Sequence, residues 1–426
     1  NDNYLGSVFG GGNLAPYGTA DADYPQVNIK NARITENVFG GGLGQTAIVT
    51  GNPQVTIGST TNGKKVIITG DVYGGGDAAA VDGTPVVTVV SNVNDTIGNV
   101  YGGGNAADVT ATDVIINGGI IGMVFGGGHG DKNSSPQKEA NVTDDVTLTI
   151  TGGTIGKIFG GSNSKGSIGG DIALNVEKGD YSDPMHIGEV YGGGNEAAGK
   201  AGTISIGCTG GDTEGIDDVY GGANQASISN DIELLITGGR IQRVFGGNNT
   251  SGSINGNITV TVDWDGTCQN SYLGSVFGGG NMAAYSGIPT VNIDNGTISH
   301  SVYGGGNEAN VDGTVVNMNG GSVLEGIYGG CNTSGTVTGL VDVNINGGTI
   351  GTNSSPANIH GGGYGPATLT SGNVEVTVGS AVGAQTYPTV YGDVYGGSAL
   401  GKVNGTVLDN SLHTYVTLNA GIVNGS

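Results

Sequence analysis

One short motif recurs along the whole chain: an aliphatic residue, an aromatic residue, then Gly-Gly-Gly-Asn. The first copy is Val8-Phe9-Gly10-Gly11-Gly12-Asn13, and the aromatic slot returns at Phe39, Tyr73, Tyr101, Phe125, Phe159, Tyr191, Tyr220, Phe245, Phe277, Tyr303, Tyr328, His360 and Tyr395. Thirteen of these fourteen copies carry Phe or Tyr, and His360 fills the remaining slot. The mean spacing is about 30 residues, a period that marks a solenoid or array. A solenoid grows by stacking one unit on the next, so a chain of 426 residues need not divide into several globular cores.

The shortest units, such as Tyr101 to Val124, hold about 24 residues, which is one triangular coil of three segments. In one segment apolar residues alternate with polar ones, the period of a half-buried strand. Val146, Leu148 and Ile150 form the inward set, with Thr147 and Thr149 outward. The same inward slots hold Ile232, Leu234 and Ile236, then Thr314, Val316 and Met318, then Val341, Val343 and Ile345. A second segment, as in Ile155-Gly156-Lys157-Ile158, has its apolar residues three apart, which predicts a corner or bulge. The third carries the glycine motif and small residues. β-Branched strands with Gly-Gly and Asn-Gly corners are poor helix formers, and right-handed connections are the strong default. The expectation is an all-β, right-handed parallel β-helix (β-solenoid) of about 14 coils of three short strands, a single repeat domain over residues 1–426.

Stacked coils lie about 4.8 Å apart, so identical side chains in one slot can bond up the stack. Asn or Asp follows the glycine slots at Asn13, Asp77, Asn105, Asn163, Asn195, Asn224, Asn249, Asn281, Asn307 and Asn332. The asparagines are expected to form a structural ladder beside a stack of aromatic rings. The glycines are expected to provide positive φ and close backbone approach at the corner. His360, in the aromatic slot, is expected to pack.

Length variation places loops at the corners, among them Asp131–Ala140 directly after a glycine motif and Asp263–Ser271 after a strand. The second holds the only tryptophan, Trp264, between Asp263 and Asp265, a candidate contact for a sugar ring. The net charge of −23, with 13 Lys and Arg, disfavours nucleic acid and anionic membrane surfaces. No run of 18 apolar residues exists, so no membrane span is expected. No cofactor or catalytic residue is expected: the histidines are scattered, no zinc spacing occurs, and no glycine motif leads into a P-loop Lys-Ser/Thr. The acidity leaves room for calcium, although the GGxGxD repeat is absent. Leu5-Gly6-Ser7-Val8-Phe9 recurs as Leu273-Gly274-Ser275-Val276-Phe277, so the chain opens mid-coil. The expectation is part of a longer chain of continuing repeats, or a subunit that self-associates by stacking.

The unit Gly-Gly-Thr-Ile-Gly-x-Val-Tyr-Gly-Gly-Gly-Asn-x-Ala resembles the glycine-rich repeats of large bacterial cell-surface proteins, adhesin-like molecules with parallel β-helix passengers. The resemblance implies export, extracellular or surface display, and contact with host or cell-surface glycan or protein. It carries no catalytic residue across. The functional expectation is a structural or adhesive stalk, fibre or adhesin, and not an enzyme. The alternative is a carbohydrate-active β-helix enzyme or a glycan-binding module.

Overall fold

The computed structural model describes residues 4–18, 24–61, 63–90, 92–180, 184–379, 387–404 and 411–425. Every regular element among them is a strand, and every pairing between named strands is parallel. The protein is an all-β solenoid of about 13 turns. It divides into two compact units, Asn1–Ile216 with Ala223–Ser229, and Asp217–Gly222 with Asn230–Ser426.

Each unit is built round one seven-stranded parallel sheet. In the first unit it runs from Gln26–Ile29 to Thr203–Ile206, and in the second from Ile232–Ile236 to Thr414–Leu418. The alternation explains these strands. Val146, Leu148 and Ile150 are fully buried while Thr147 and Thr149 are half-exposed. The register is in phase from coil to coil, Leu148 lying between Val114 and Leu174. In-phase stacking keeps every inward set in the core, where a one-residue slip would expose it. Thr112 and Thr314 occupy inward slots because each hydroxyl donates to the carbonyl of a motif glycine, Gly126 at 2.8 Å and Gly329 at 2.6 Å.

A second face ends in the aromatic slot. Here the structure revises the division into segments. The piece Gly153–Phe159 is one continuous strand, with Ile155 and Ile158 inward on either side of a bulge at Gly156. The bulge glycines are forced by the stack: a Cβ on Gly122, Gly156 or Gly188 would come within 2.5 Å of the carbonyl oxygen of Gly98, Gly122 or Gly156 in the coil before. The glycine motif itself is the turn that follows this strand. The third face is thin, often a single bridged residue per coil, as in the series Val81, Val109, Val142 and Ile168.

The motif glycines do not need positive φ. None of them is among the residues with left-handed backbone. Their requirement is closeness. A Cβ on Gly160 would lie 2.5 Å from Gly192 O and 2.8 Å from Ile172 Cγ2, and one on Gly161 would lie 2.9 Å from Gly194 N.

Candidate functional site

The repeat brings its chemistry to the corner after the aromatic strand. In the first unit the rings Phe9, Phe39, Tyr73, Tyr101, Phe125, Phe159 and Tyr191 stack at 4.7–4.8 Å with planes within 7° of parallel. In the second, Tyr220 to Tyr395 stack through Phe245, Phe277, Tyr303, Tyr328 and His360 at 4.6–5.3 Å. Coil spacing dictates this distance, and offset-stacked rings are favourable beyond their burial.

Two polar columns flank the rings. The asparagine column forms side-chain hydrogen bonds at nearly every rung that can make one. Asn195 Nδ2 donates to Asn163 Oδ1 at 2.9 Å and Asn224 to Asn195 at 2.7 Å, while Asn105 donates to Asp77 at 2.7 Å. In the second unit Asn281 donates to Asn249, Asn307 to Asn281 and Asn332 to Asn307, at 2.8–2.9 Å. His129 stands in the slot above Asn105 and bonds its Oδ1 through Nδ1 at 2.9 Å; since that oxygen only accepts, Nδ1 carries the proton. Asn163, with no asparagine one coil below, turns to the Tyr101 hydroxyl at 2.9 Å. Asn13 is exposed and joins the stack by its backbone carbonyl, which accepts from Gly44 N.

Asn307→Ala is therefore expected to destabilise the second unit by about 1–2 kcal/mol, because Asn332 Nδ2 and the Thr333 hydroxyl lose an acceptor and Asn281 Oδ1 loses its donor. Asn13→Ala should change stability by less than about 0.5 kcal/mol. Urea unfolding of the two variants measures the contrast, and equal losses would contradict it.

The other column lies two residues before the aromatic slot, on the same side of the strand. Four carboxylates sit there, Asp71, Glu189, Asp218 and Asp393, and each precedes a tyrosine. The hydroxyls of Tyr73, Tyr191, Tyr220 and Tyr395 donate to them. The six phenylalanine copies carry Ser, Asn, Met, Lys or Arg in that position. The two cations pair with acids one coil away: Lys157 with Glu189 at 2.7 Å, and Arg243 with both oxygens of Asp218 at 2.6 Å. Burial, and then Asp71, push the Tyr73 phenol far above its ordinary value; burial raises Tyr303 and Tyr328 to about 12. These phenols stay protonated, and that of Tyr73 donates to Asp71. This column is readable in the sequence, where an acid stands two places before four of the seven tyrosine copies and before no phenylalanine copy.

His360 is 8% exposed, stacked between Tyr328 and Tyr395, with Nδ1 buried and unbonded. Burial lowers its pKa below the ordinary 6.5. The folded protein thus refuses a proton that the unfolded chain takes up, so this contribution to stability is present above the unfolded pKa and falls as pH drops through and below it, levelling off beneath the folded pKa. His360→Phe keeps the stack and removes the titration. Its stability relative to the natural chain is expected to rise between about pH 7.5 and pH 5 in thermal melts; a constant difference would contradict this.

The three residues singled out as a sugar contact each have their own surroundings. Trp264 is half-buried against the backbone of Gly296, where a Cβ would come within 2.7 Å of the indole, and its carbonyl accepts from Asn295 Nδ2 at 2.8 Å. Asp265 is turned to Thr267, whose hydroxyl and N–H bond it at 2.6 and 2.8 Å and lower its pKa. Asp263 ends its strand exposed. Among the described residues no three His, Cys, Asp or Glu side chains gather into a metal-binding group.

Stacking also creates neighbours that spacing conceals. Glu325 Oε1 lies 2.9 Å from His300 Nδ1, and His300 Nε2 lies 3.1 Å from the Tyr272 hydroxyl, with Arg240 over the Tyr272 ring at 5.3 Å. Such a line can hold the imidazole tautomer, but His300 and Glu325 are open to water, which screens it.

The insertion after the fifth motif is a built loop. Asp131 and Lys138 exchange backbone hydrogen bonds at 2.7 and 3.0 Å, and Asp131 Oδ1 caps Asn133 and Ser134 N–H. Gln137 Nε2 bonds Lys132 O, and Lys132 reaches Glu196 at 3.1 Å. Hollows of about 410 and 400 Å³ lie on its two sides, one over Ser164–Ser167 and Glu196, the other over Asp77 and Ala106.

With this geometry in place, the fold defines the class: a parallel β-solenoid of glycine-cornered coils. Comparison with protein-family models, with curated proteins and with solved structures yields no match.

Proposed function

We propose that the chain is a non-enzymatic structural or adhesive β-solenoid, displayed on a bacterial surface or secreted, acting as a stalk, fibre or adhesin. One observation supports this above others: the repeat's polar side chains are committed to one another, asparagine to asparagine from coil to coil and tyrosine to the carboxylate two residues before it within a coil. Groups arranged in that way stiffen a stack and leave little free to act on a substrate. A carbohydrate-active enzyme would need two facing carboxylates, and Asp265 beside Trp264 is instead bonded to Thr267. The resemblance of the repeat to bacterial surface proteins points the same way. No helix among the described residues is long and apolar enough to cross a membrane.

Self-association belongs to this reading. The strand Thr414–Leu418 pairs with Val374–Val378. Its Val416 and Leu418 are 48% and 59% exposed, where Val376 and Val378 one coil earlier are 1%. An exposed strand edge with apolar residues invites another strand, and a second copy of the chain offers one. Repulsion from the −23 charge opposes it at low salt, and roughly 0.15 M salt, with a Debye length of about 8 Å, relieves that.

Antibody labelling of intact source cells tests display: staining without permeabilisation is expected, and staining confined to lysed cells would overturn it. Sedimentation velocity across salt tests assembly: larger species growing with salt are expected, and a monomer throughout would remove that part.

A further inference from the structure

We propose that the 410 Å³ hollow beside the Asp131–Ala140 loop is a binding site for a neutral, polyhydroxylated ligand, a short run of uncharged sugar residues. Its size falls within the range of about 300–1,000 Å³ seen for small-ligand sites. No aromatic or branched aliphatic side chain lines it; its apolar surface is the methyls of Ala197 and Ala198 and the stems of Lys132, Gln137, Glu139 and Lys165, each carrying a polar head. Its charges cancel: Lys132 pairs with Glu196 at 3.1 Å and Lys165 with Glu139 at 3.7 Å. An anion would meet both carboxylates and a cation both ammonium groups. A sugar hydroxyl donates and accepts at once, and so matches a wall where fixed donors and acceptors alternate.

The wall is also preorganised, which reduces the ordering a ligand must otherwise impose. Asn141 Oδ1 accepts from Ser167 N and Oγ at 2.8 and 2.9 Å, Ser164 Oγ accepts from Lys132 N at 3.3 Å, and Gln137 is anchored through its amide nitrogen to Lys132 O at 2.8 Å, which leaves its amide oxygen as an acceptor for the ligand. Lys132 and Lys165 put two of the chain's 13 basic residues in its wall, so that on a surface of charge −23 the hollow is close to neutral.

This goes beyond the scaffold reading and is tested separately, because binding is read on the isolated full chain in solution. Saturation-transfer NMR would use neutral gluco-, galacto- and manno-configured trisaccharides at millimolar concentration, beside an acidic trisaccharide of galacturonate. At least one neutral trisaccharide is expected to receive saturation and to bind at least tenfold more tightly than the acidic one. Glu196→Gln, which leaves Lys132 unneutralised, is expected to narrow that preference at least threefold, and Gln137→Ala with Glu139→Ala to abolish the signal with the melting temperature held. No transfer to any neutral trisaccharide, or transfer undiminished in the double variant, would overturn the assignment.

Discussion

Gly160→Ala is expected to destabilise the first unit by about 3 kcal/mol, the upper part of the usual range for forcing a methyl into a filled core. The added Cβ would meet Gly192 O at 2.5 Å and Ile172 Cγ2 at 2.8 Å. The first obstacle is a backbone carbonyl of the next coil, held by the hydrogen-bond ladder, so no side-chain rotation relieves the clash. Gly199→Ala supplies the control. A methyl added to that glycine would have no atom within 4 Å, and its φ is not left-handed. Its substitution should leave stability within about 0.5 kcal/mol or raise it slightly by restricting the unfolded chain. Denaturant midpoints of the two variants separate close approach from backbone freedom as the reason for the motif. Equal effects would mean that the glycines serve something other than coil contact.

Phe159→Ala is expected to cost about 3–5 kcal/mol, the range for emptying a buried aromatic site. The ring is fully buried and stacks at 4.7 Å on both Phe125 and Tyr191. Its neighbours cannot close the gap, because backbone ladders set the coil spacing independently of the rings. Phe159→Tyr should also destabilise, by about 1–3 kcal/mol. The new hydroxyl would face Lys157, which is already paired with Glu189, whereas the tyrosines Tyr73, Tyr191, Tyr220 and Tyr395 face a carboxylate. Thermal melts of both variants check this, and a Phe159→Tyr variant as stable as the natural chain would remove the pairing rule.

The strand faces were legible in the sequence because burial imposes period two with no other information: Val146, Leu148 and Ile150 could be assigned inward from their spacing alone. The aromatic and asparagine slots were legible because equal spacing from one motif puts equal residues in one column. The bulge at Gly156 was visible as an interruption, but its meaning was not, since only stacking shows that a carbonyl occupies the place of a side chain. The glycine corner was misjudged in part, for the same reason. His129 illustrates a further limit: it breaks the asparagine column, and the rerouting of Asn163 to Tyr101 depends on a contact 62 residues apart. The line from Glu325 through His300 to Tyr272 was hidden because coils differ in length, so neighbours across coils share no fixed spacing. The hollows depend on how an insertion folds over its neighbours, which a repeat pattern does not contain.

The glycine corner, though irregular in form, continues the inter-coil ladder. Gly40 N bonds Tyr73 O, Gly74 N bonds Tyr101 O and Gly102 N bonds Phe125 O, each at 2.9 Å; Gly246 and Gly304 do the same with Phe277 and Tyr328 in the second unit. Amide hydrogen exchange tests it residue by residue. These motif glycines are expected to exchange as slowly as the strand amides of Val146–Ile150 and Val341–Ile345, and far more slowly than the exposed loop amides of Asn133 and Gln137. Motif glycines exchanging as fast as that loop would contradict it.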